Sequence, residues 1–301
     1  MKWDNNGAEF EIDSIGKIAF ESMKSGINYS IIGITSRGFY TKSSSRWIIY
    51  ISEESFRSPL TINLKAPDSF WSGISHGMHL SYISGRLLFP DMNIRLIVSK
   101  HRIWEIPSPG ETKPLKSKRK VGFKIIAEIL RRNDGDTQLR ELILATLQPS
   151  SEIGAPLNGS ILSHDTIIQW QESIRTGQIH PLIESVERLL GLGEGLTPSG
   201  DDMILGLMLS LNRWKSSLWT GGDLNKLNEY VITKAYEQTT TLSANLIEMA
   251  CRGISDERLI QVVDALMGVA DLSEEMLQRM LQWGDSSGLA ALLGCTIAIT
   301  V

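Results

Sequence analysis

Cysteine is scarce in this sequence, and the usual marks of a secreted or membrane protein are absent as well. The 301 residues contain only Cys251 and Cys295, which form no Cys-x-x-Cys pair. The N-terminus lacks the apolar run of a signal peptide, and the apolar run at 289–301 is too short to span a membrane. We therefore predict a cytoplasmic protein with no membrane as partner, in which both cysteines are reduced core residues.

An excess of either charge is also lacking. The net charge is −4, and Asp, Glu, Lys and Arg together make up 21% of the residues. The one basic run, at 113–120, has the composition of a solvated linker. The sequence therefore gives no electrostatic reason to expect a nucleic acid as partner.

Apolar residues make up 42% of the chain, which is ample for a hydrophobic core. In the first hundred residues they fall in short, often alternating runs, separated by turn residues and rich in β-branched and aromatic side chains. After a short helix at 15–24, these runs predict strands at 29–35, 38–42, 46–52, 60–65, 79–83, 86–89, 94–98 and 102–106. The pattern is typical of an antiparallel barrel or sandwich.

The proline-rich stretch at 107–114 marks the predicted domain boundary. Beyond it, apolar residues recur at helical spacing. The predicted helices are 121–132, 137–147, 165–175, 182–190, 199–215, 224–252, 257–269, 274–283 and 287–300. We therefore predict an α+β fold, with a β-rich domain at 1–112 and a mainly helical domain at 119–301 that carries a glycine-rich loop.

Two segments of the helical domain, 203–209 and 289–295, are apolar almost all round. Such segments are typical of central helices that are buried on every side. Gly206 and Gly294 lie within them, and a glycine lets a neighbouring backbone come close because it has no Cβ. We therefore expect two central helices in close contact.

The glycine loop, residues 191–202, has the sequence Gly-Leu-Gly-Glu-Gly-Leu-Thr-Pro-Ser-Gly-Asp-Asp. It contains no lysine, which excludes a Walker A loop, and it lacks the glycine spacing of a dinucleotide fingerprint. Either Thr197 caps a helix that starts at Pro198, or Ser199 caps one with Asp202 at its third position. Both arrangements direct backbone N–H groups towards an anion. The alternative is a tight helix–helix turn without a ligand.

Asp201 and Asp202 limit which ligand the loop could take. Carboxylates in a first helical turn interact favourably with the helix dipole, but they would repel a bare phosphate. A bound anion would therefore need Mg²⁺ as a bridge to a carboxylate, with Asp202 as the candidate metal ligand. Without a metal, an amide or ureido group that donates N–H to the carboxylates fits better.

Residues 284–288 precede the second central helix and match Gly-x-Ser-x-Gly. A nucleophile elbow needs a strand before its serine, whereas residues 276–283 have helical spacing. We therefore expect Asp285 or Ser286 to cap the central helix. Its N-terminus would then open on the same pocket as the glycine loop.

Residues 239–245, Thr-Thr-Thr-Leu-Ser-Ala-Asn, interrupt the predicted helix at 224–252. Three successive threonines are poor helix formers. Either Thr239 and Ser243 or Thr240 and Ser243 share a helix face. Their hydroxyls either bond back to the helix at a kink or face a ligand.

Together these three segments resemble a bacterial domain-of-unknown-function family that includes the small accessory subunit of anaerobic oxamate carbamoyltransferase. The glycine loop matches the family motif in full, whereas Asp285 stands in place of an expected histidine and Ala290 in place of an expected aspartate. That enzyme works with larger subunits in purine (allantoin) degradation, and it interconverts oxalurate and phosphate with oxamate and carbamoyl phosphate. The resemblance implies a hetero-oligomer that binds carbamoyl phosphate or a ureido or oxamate-like acid.

Two hypotheses follow: a subunit of a carbamoyl-transfer enzyme, and a non-catalytic regulatory subunit that binds a small molecule. In the first, Asp201 and Asp202 are catalytic, Asp202 also binds Mg²⁺ if a metal is used, and no other cofactor is expected. Carbamoyl transfer depends on positioning and charge stabilisation more than on a nucleophile, so it needs no triad. The predicted substrate-binding residues are Gly193, Gly195, Thr197, Ser199, Gly200, Thr240, Ser243, Ser286 and Ser287.

Overall fold

The computed structural model describes residues 7–25, 28–109, 114–132, 136–147, 164–219 and 221–301. The chain divides into two compact units, Met1–Pro107 and Ser108–Val301. Within the predicted linker, residues 110–113 lie outside the described part of the chain.

The N-terminal unit is built on a ten-stranded sheet that curls into a half-barrel. Its strands are β1 (Ala8–Glu11), β2 (Ser14–Gly16), β3 (Tyr29–Thr35), β4 (Gly38–Lys42), β5 (Ile48–Ser52), β6 (Thr61–Asn63), β7 (His79–Ile83), β8 (Arg86–Phe89), β9 (Ile94–Ile97) and β10 (Ile103–Trp104). Their order across the sheet is β1-β9-β8-β7-β3-β4-β5-β6-β2-β10.

The sheet is mixed, although the sequence pattern suggested an antiparallel one. Most neighbouring strands are antiparallel, but β1 and β9, β5 and β6, and β2 and β10 pair in parallel. Alternation shows which side chains face the core, and it carries no information about the direction of the neighbouring strand. The broader prediction of an α+β fold, with a β-rich part followed by a helical part, is confirmed.

Two short helices accompany the sheet. Helix α1 (Lys17–Ser25) begins later than predicted, because Ser14–Gly16 pairs with β6 and β10 as a strand. Helix α2 (Asp68–Gly73) places Phe70 in the core, where its ring meets the rings of Phe10 and Phe89 edge-on. The interior of the half-barrel is therefore an apolar, aromatic core.

The C-terminal unit is helical in its described residues. Its helices are α3 (Lys116–Arg132), α4 (Thr137–Leu147), α5 (His164–Thr176), α6 (Ile179–Leu189), α7 (Ser199–Arg213), α8 (Lys215–Leu218), α9 (Leu224–Gln238), α10 (Thr241–Ala250), α11 (Glu257–Leu266), α12 (Glu274–Leu281) and α13 (Ser287–Ile299). The single helix predicted at 224–252 is wrong: Thr239 and Thr240 separate α9 from α10.

Helices α7 and α13 form the centre of this unit. Every residue of α13 is buried, and so is almost every residue of α7. A Cβ at Gly206 would lie 2.0 Å from the carbonyl oxygen of Ala291, and one at Gly294 would lie 2.0 Å from that of Met203. Since no side chain fits at either point, the two glycines allow the predicted close contact between central helices.

Both cysteines belong to this apolar interior. Cys251 and Cys295 are buried and free of disulfides, and burial raises the pKa of both thiols, that of Cys295 to about 12. None of the helices in the described ranges has both the length and the apolar character that a membrane crossing requires.

Candidate functional site

The glycine loop leaves the end of α6 and leads into α7. Gly191 and Gly193 have φ of 73° and 120°, a region that favours glycine. A Cβ at Gly191 would lie 2.7 Å from the carbonyl oxygen of Gln238, and one at Gly193 would lie 2.8 Å from the amide nitrogen of Ser199. Glycine is therefore required at both positions for conformation and for space.

Helix α7 begins without a side-chain cap. Pro198 occupies the N-cap position, and Ser199 is already the first helical residue. Both predicted capping arrangements are therefore wrong, since neither the Thr197 nor the Ser199 hydroxyl caps the helix. The Thr197 Oγ1 instead lies 3.2 Å from the Ser287 Oγ, and the Ser199 Oγ lies 3.0 Å from the Ser286 Oγ.

The second central helix, α13, also begins uncapped. Ser286 occupies its N-cap position, but its hydroxyl makes no capping hydrogen bond. Helix α12 precedes this turn, so residues 284–288 lack the strand of a nucleophile elbow. The expectation of a capping side chain from Asp285 or Ser286 is therefore wrong, because the Ser286 hydroxyl pairs with Ser199.

The two hydroxyl pairs hold two helix N-termini side by side. The first N–H groups of an α-helix have no partner within the helix, and they carry the positive end of its dipole. Both α7 and α13 lack a side-chain cap, but only part of their first-turn N–H groups is left for another acceptor. The amides of Gly200, Asp201 and Asp202 in α7 and of Gly288 and Ala290 in α13 already donate to backbone carbonyl oxygens. Such a pair of helix starts can stabilise an oxyanion.

The start of α10 contacts the same loop. Thr240 caps α10, because its Oγ1 accepts a hydrogen bond from the Ser243 amide at 3.1 Å. The Thr240 hydroxyl also donates to the Leu196 carbonyl oxygen at 2.7 Å, and the Ser243 hydroxyl lies 3.5 Å from that oxygen. The hydroxyl patch thus contacts the backbone of the glycine loop.

Asp201 has hydrogen-bond partners on both carboxylate oxygens. Its Oδ1 accepts from the Gly191 amide at 2.8 Å, and its Oδ2 accepts from the Thr239 hydroxyl. These partners lie at the start of the glycine loop and at the end of α9. Asp201 therefore joins the loop to the α9–α10 junction.

Asp202 has a different environment, although it is equally buried at 1% exposed. Its Oδ2 has no hydrogen-bond partner among the described residues. Burial raises the pKa of this carboxyl from 3.8 to about 7; hydrogen bonds from Ser287 and Thr197 lower it, and the charge of Asp201 raises it. Asp202 can therefore gain or lose a proton near neutral pH, and its buried Oδ2 is an acceptor that no described residue uses.

Residues 189–299 match the family described as oxamate carbamoyltransferase subunit AllH. This match supports membership in the AllH family. The glycine loop, the α9–α10 junction and the start of α13 all lie within the matched range. Neither the curated proteins nor the solved structures compared with this chain gave a match.

The structure brings most of the predicted site residues together. Thr197, Ser199, Ser286 and Ser287 meet between the two helix starts, with Asp202 beside them. Gly193 and Gly195 lie on the exposed part of the loop.

The remaining predicted residues contact the protein itself. The Gly200 amide donates to the Leu192 carbonyl oxygen at 2.9 Å, so it is not available to a ligand. The hydroxyls of Thr240 and Ser243 are close to the Leu196 carbonyl oxygen. The sequence offered Thr239 only as an alternative helix-face partner of Ser243, whereas in the structure its hydroxyl donates to Asp201.

The donor set for a metal is small. No group of three His, Cys, Asp or Glu side chains that could hold a metal ion occurs in the described ranges of the chain. Mg²⁺ often binds through only one or two carboxylates together with substrate phosphates and water. The free oxygen of Asp202 is the donor that could take part in such a bridge. Binding of Mg²⁺ at Asp202 therefore stays a prediction.

Replacing Ser287 with alanine should raise the pKa of Asp202 above its present value of about 7. The Ser287 hydroxyl stabilises the ionised carboxylate, and its loss should raise the pKa by roughly one unit. Titration of the Asp202 carboxyl carbon by NMR measures the change. Ser286→Ala is the matched control, because its hydroxyl pairs with Ser199. An unchanged pKa in Ser287→Ala would contradict the prediction.

Proposed function

We propose that this chain is a subunit of an oxamate carbamoyltransferase-type enzyme and that its helical unit binds carbamoyl phosphate or a ureido or oxamate-like acid. The family match over residues 189–299 supports the role as a subunit of such an enzyme. The proposed ligand site comprises the glycine loop and the starts of α7 and α13.

The observation that carries the ligand proposal is the buried Oδ2 of Asp202, which has no hydrogen-bond partner in the described part of the chain and lies between two uncapped helix starts. An amide-bearing acid has an N–H donor at one end and an oxyanion at the other. The Asp202 oxygen is an acceptor for the N–H group, and the helix starts supply donors for the oxyanion. The two features together match an amide acid better than they match a simple phosphate.

The chemistry of carbamoyl transfer suits a carboxyl that titrates near neutral pH. When oxalurate reacts with phosphate, a bond forms between a phosphate oxygen and the ureido carbon. The bond from that carbon to the nitrogen of the oxalyl group breaks, and this nitrogen takes up a proton as oxamate leaves. A general acid is most effective when its pKa lies near the working pH. We assign this proton to Asp202, whose pKa is about 7.

The second candidate function is a non-catalytic subunit that binds a regulatory metabolite. The hydroxyls of Thr197, Ser199, Ser286 and Ser287 pair with one another, and the glycine loop contains no lysine. These features favour binding over catalysis. Asp202→Asn in the assembled enzyme separates the two functions: a catalytic site loses orders of magnitude in turnover rate, whereas a regulatory site changes only its ligand affinity.

The proposed setting follows from the family description. A subunit acts with partners, and we propose larger partner subunits that together with this chain form a cytoplasmic enzyme of allantoin degradation. Co-purification of the full chain with the products of neighbouring genes tests this proposal.

Isothermal titration calorimetry on the full chain tests the ligand. We expect oxamate and carbamoyl phosphate to bind, and Asp202→Ala to weaken their binding about tenfold or more. The matched control is Asp271→Asn, an exposed aspartate of the same unit that should leave affinity unchanged. Titration with and without Mg²⁺ decides the role of the metal, since equal affinity rules out a bridging ion. Absence of binding by all these acids would rule out the proposed ligand class for the isolated chain.

A further inference from the structure

The two adjacent aspartates of the glycine loop differ in what their oxygens contact. Asp201 uses both oxygens within the protein, on the Gly191 amide and the Thr239 hydroxyl. Asp202, buried to the same degree, keeps its Oδ2 without a partner among the described residues. The Oδ2 of Asp202 is therefore a buried acceptor that no described residue uses, whereas both oxygens of Asp201 already accept hydrogen bonds from the protein.

The hydrogen bonds of Asp201 belong to a larger attachment of the loop. Its N-terminal end is held through the Gly191 amide, and its centre is held through the Leu196 carbonyl oxygen, which accepts from Thr240. Both points connect to the junction between α9 and α10. Between them, residues 192–195 are exposed. The α9–α10 junction thus fixes the loop at two points, in addition to the backbone hydrogen bonds that Leu192 makes with Leu189 and Gly200.

We propose that Asp201 is a positioning residue that, together with Thr239, holds the glycine loop against the α9–α10 junction, and that Asp202 is the aspartate that contacts the ligand. The ligand group at Asp202 is an N–H donor such as a primary amide. The second half of this assignment rests on the proposed function, whereas the first half can be tested without a ligand.

The first experiment compares two substitutions of Asp201. Asp201→Ala leaves the buried end of the loop without an acceptor for the Gly191 amide, so hydrogen exchange in residues 191–197 should become about tenfold faster and the affinity for oxamate should fall about tenfold. Asp201→Asn keeps an oxygen for Gly191 and an amide that can donate to the Thr239 oxygen. In this variant the exchange rate and the affinity for oxamate should both stay within about threefold of the wild-type values.

The second experiment tests the hydrogen bond between Thr239 and Asp201 by changing Thr239. Thr239→Val removes the hydroxyl that donates to Asp201 but keeps the shape of the side chain, whereas Thr239→Ser keeps the hydroxyl. We expect faster exchange in residues 191–197 for the valine variant only. Since Thr239 lies outside the helices, this pair also gives a result if Asp201→Ala does not fold.

The third experiment separates Asp202 from Asp201. Asp202→Ala should lower the affinity for oxamate about tenfold or more while exchange at the Gly191 amide stays at the wild-type rate, because that amide donates to Asp201, whereas Asp202 contacts the loop through Thr197. A merely structural residue would change both quantities.

Several results would overturn the assignment. If Asp201→Asn weakens oxamate binding as much as Asp201→Ala without faster exchange, the charge of Asp201 acts on the ligand itself. If exchange stays at the wild-type rate in both Asp201→Ala and Thr239→Val, these residues do not hold the loop. If the wild-type chain binds no ligand, the proposed function and the role of Asp202 fail together, and the exchange rates alone decide the role of Asp201.

Discussion

Asp202→Asn should make the protein more stable at neutral and alkaline pH. The pKa of this carboxyl is raised from 3.8 to about 7 in the folded state, chiefly because it is buried. The folded state therefore holds the proton more tightly than the unfolded state, and stability is lost as the pH rises from below 3.8 to about 7. Since one pKa unit corresponds to about 1.4 kcal/mol, the full loss is at most on the order of 4 kcal/mol. Asparagine does not ionise and avoids this loss.

The measurement is thermal or urea unfolding of the wild type and the variant from pH 4 to pH 8. The difference in free energy of unfolding between the two proteins should be small at pH 4, increase towards pH 7 and stay constant above it. Asp201→Asn is a useful comparison, because removing the charge of Asp201 lowers the pKa of Asp202. In this variant the decrease in stability with rising pH should therefore be complete at a lower pH. If the stability difference between Asp202→Asn and wild type is the same at pH 4 and pH 8, the pKa of Asp202 is not raised in the folded state.

The sequence predicts the middle of the N-terminal sheet well and its ends poorly. The bounds of β3, β4, β7 and β8 agree with the predicted segments, since each is a short run between turn residues. β1 and β2 were not predicted, because they are short and pair with strands far away in the sequence, such as β9 and β6. Their formation depends on tertiary contacts rather than on local pattern.

For the candidate site, the sequence indicates which segments matter but not what each side chain does. Successive residues on a helix point about 100° apart, so Asp201 and Asp202 face different surroundings that no motif distinguishes. Likewise, Thr197 and Ser199 are good capping residues by type. Their hydroxyls contact α13 instead, and that partner lies almost ninety residues away in the sequence. Contacts of this kind become visible only when the central helices are placed together.

Gly206→Ala and Gly294→Ala should each destabilise the helical unit strongly, although alanine is the better helix former. The propensity gain is about 1 kcal/mol per site. Against it stands the new Cβ, which would lie 2.0 Å from a carbonyl oxygen of the other helix at either position. Overpacking of this severity forces the backbones apart, at a cost of about 3 kcal/mol or more. The steric cost outweighs the propensity gain, so the net effect is a loss of stability.

The matched control is Gly122→Ala in α3, a buried helical glycine whose Cβ would meet its nearest neighbour, Leu266, at 3.5 Å. A contact at this distance costs no packing energy, so only the higher helix propensity of alanine acts on stability. The control should therefore be neutral or more stable by up to about 1 kcal/mol. Urea unfolding of the three variants measures the change in the free energy of unfolding, which should be negative for Gly206→Ala and Gly294→Ala and zero or positive for Gly122→Ala. A loss of stability in Gly122→Ala equal to that in Gly206→Ala would show that helix packing in general, and not this crossing, sets the cost.

The same substitutions should act on the candidate site. Gly206 follows the first residue of α7, Ser199, by seven positions, and Gly294 follows the first residue of α13, Ser287, by seven positions. The crossing therefore lies about 10 Å from both helix starts. Separating the helices there should pull Ser199 away from Ser286 and lower ligand affinity, even at temperatures where the variants remain folded. Wild-type affinity in a folded Gly206→Ala variant would mean that the spacing of the two helix starts does not determine ligand binding.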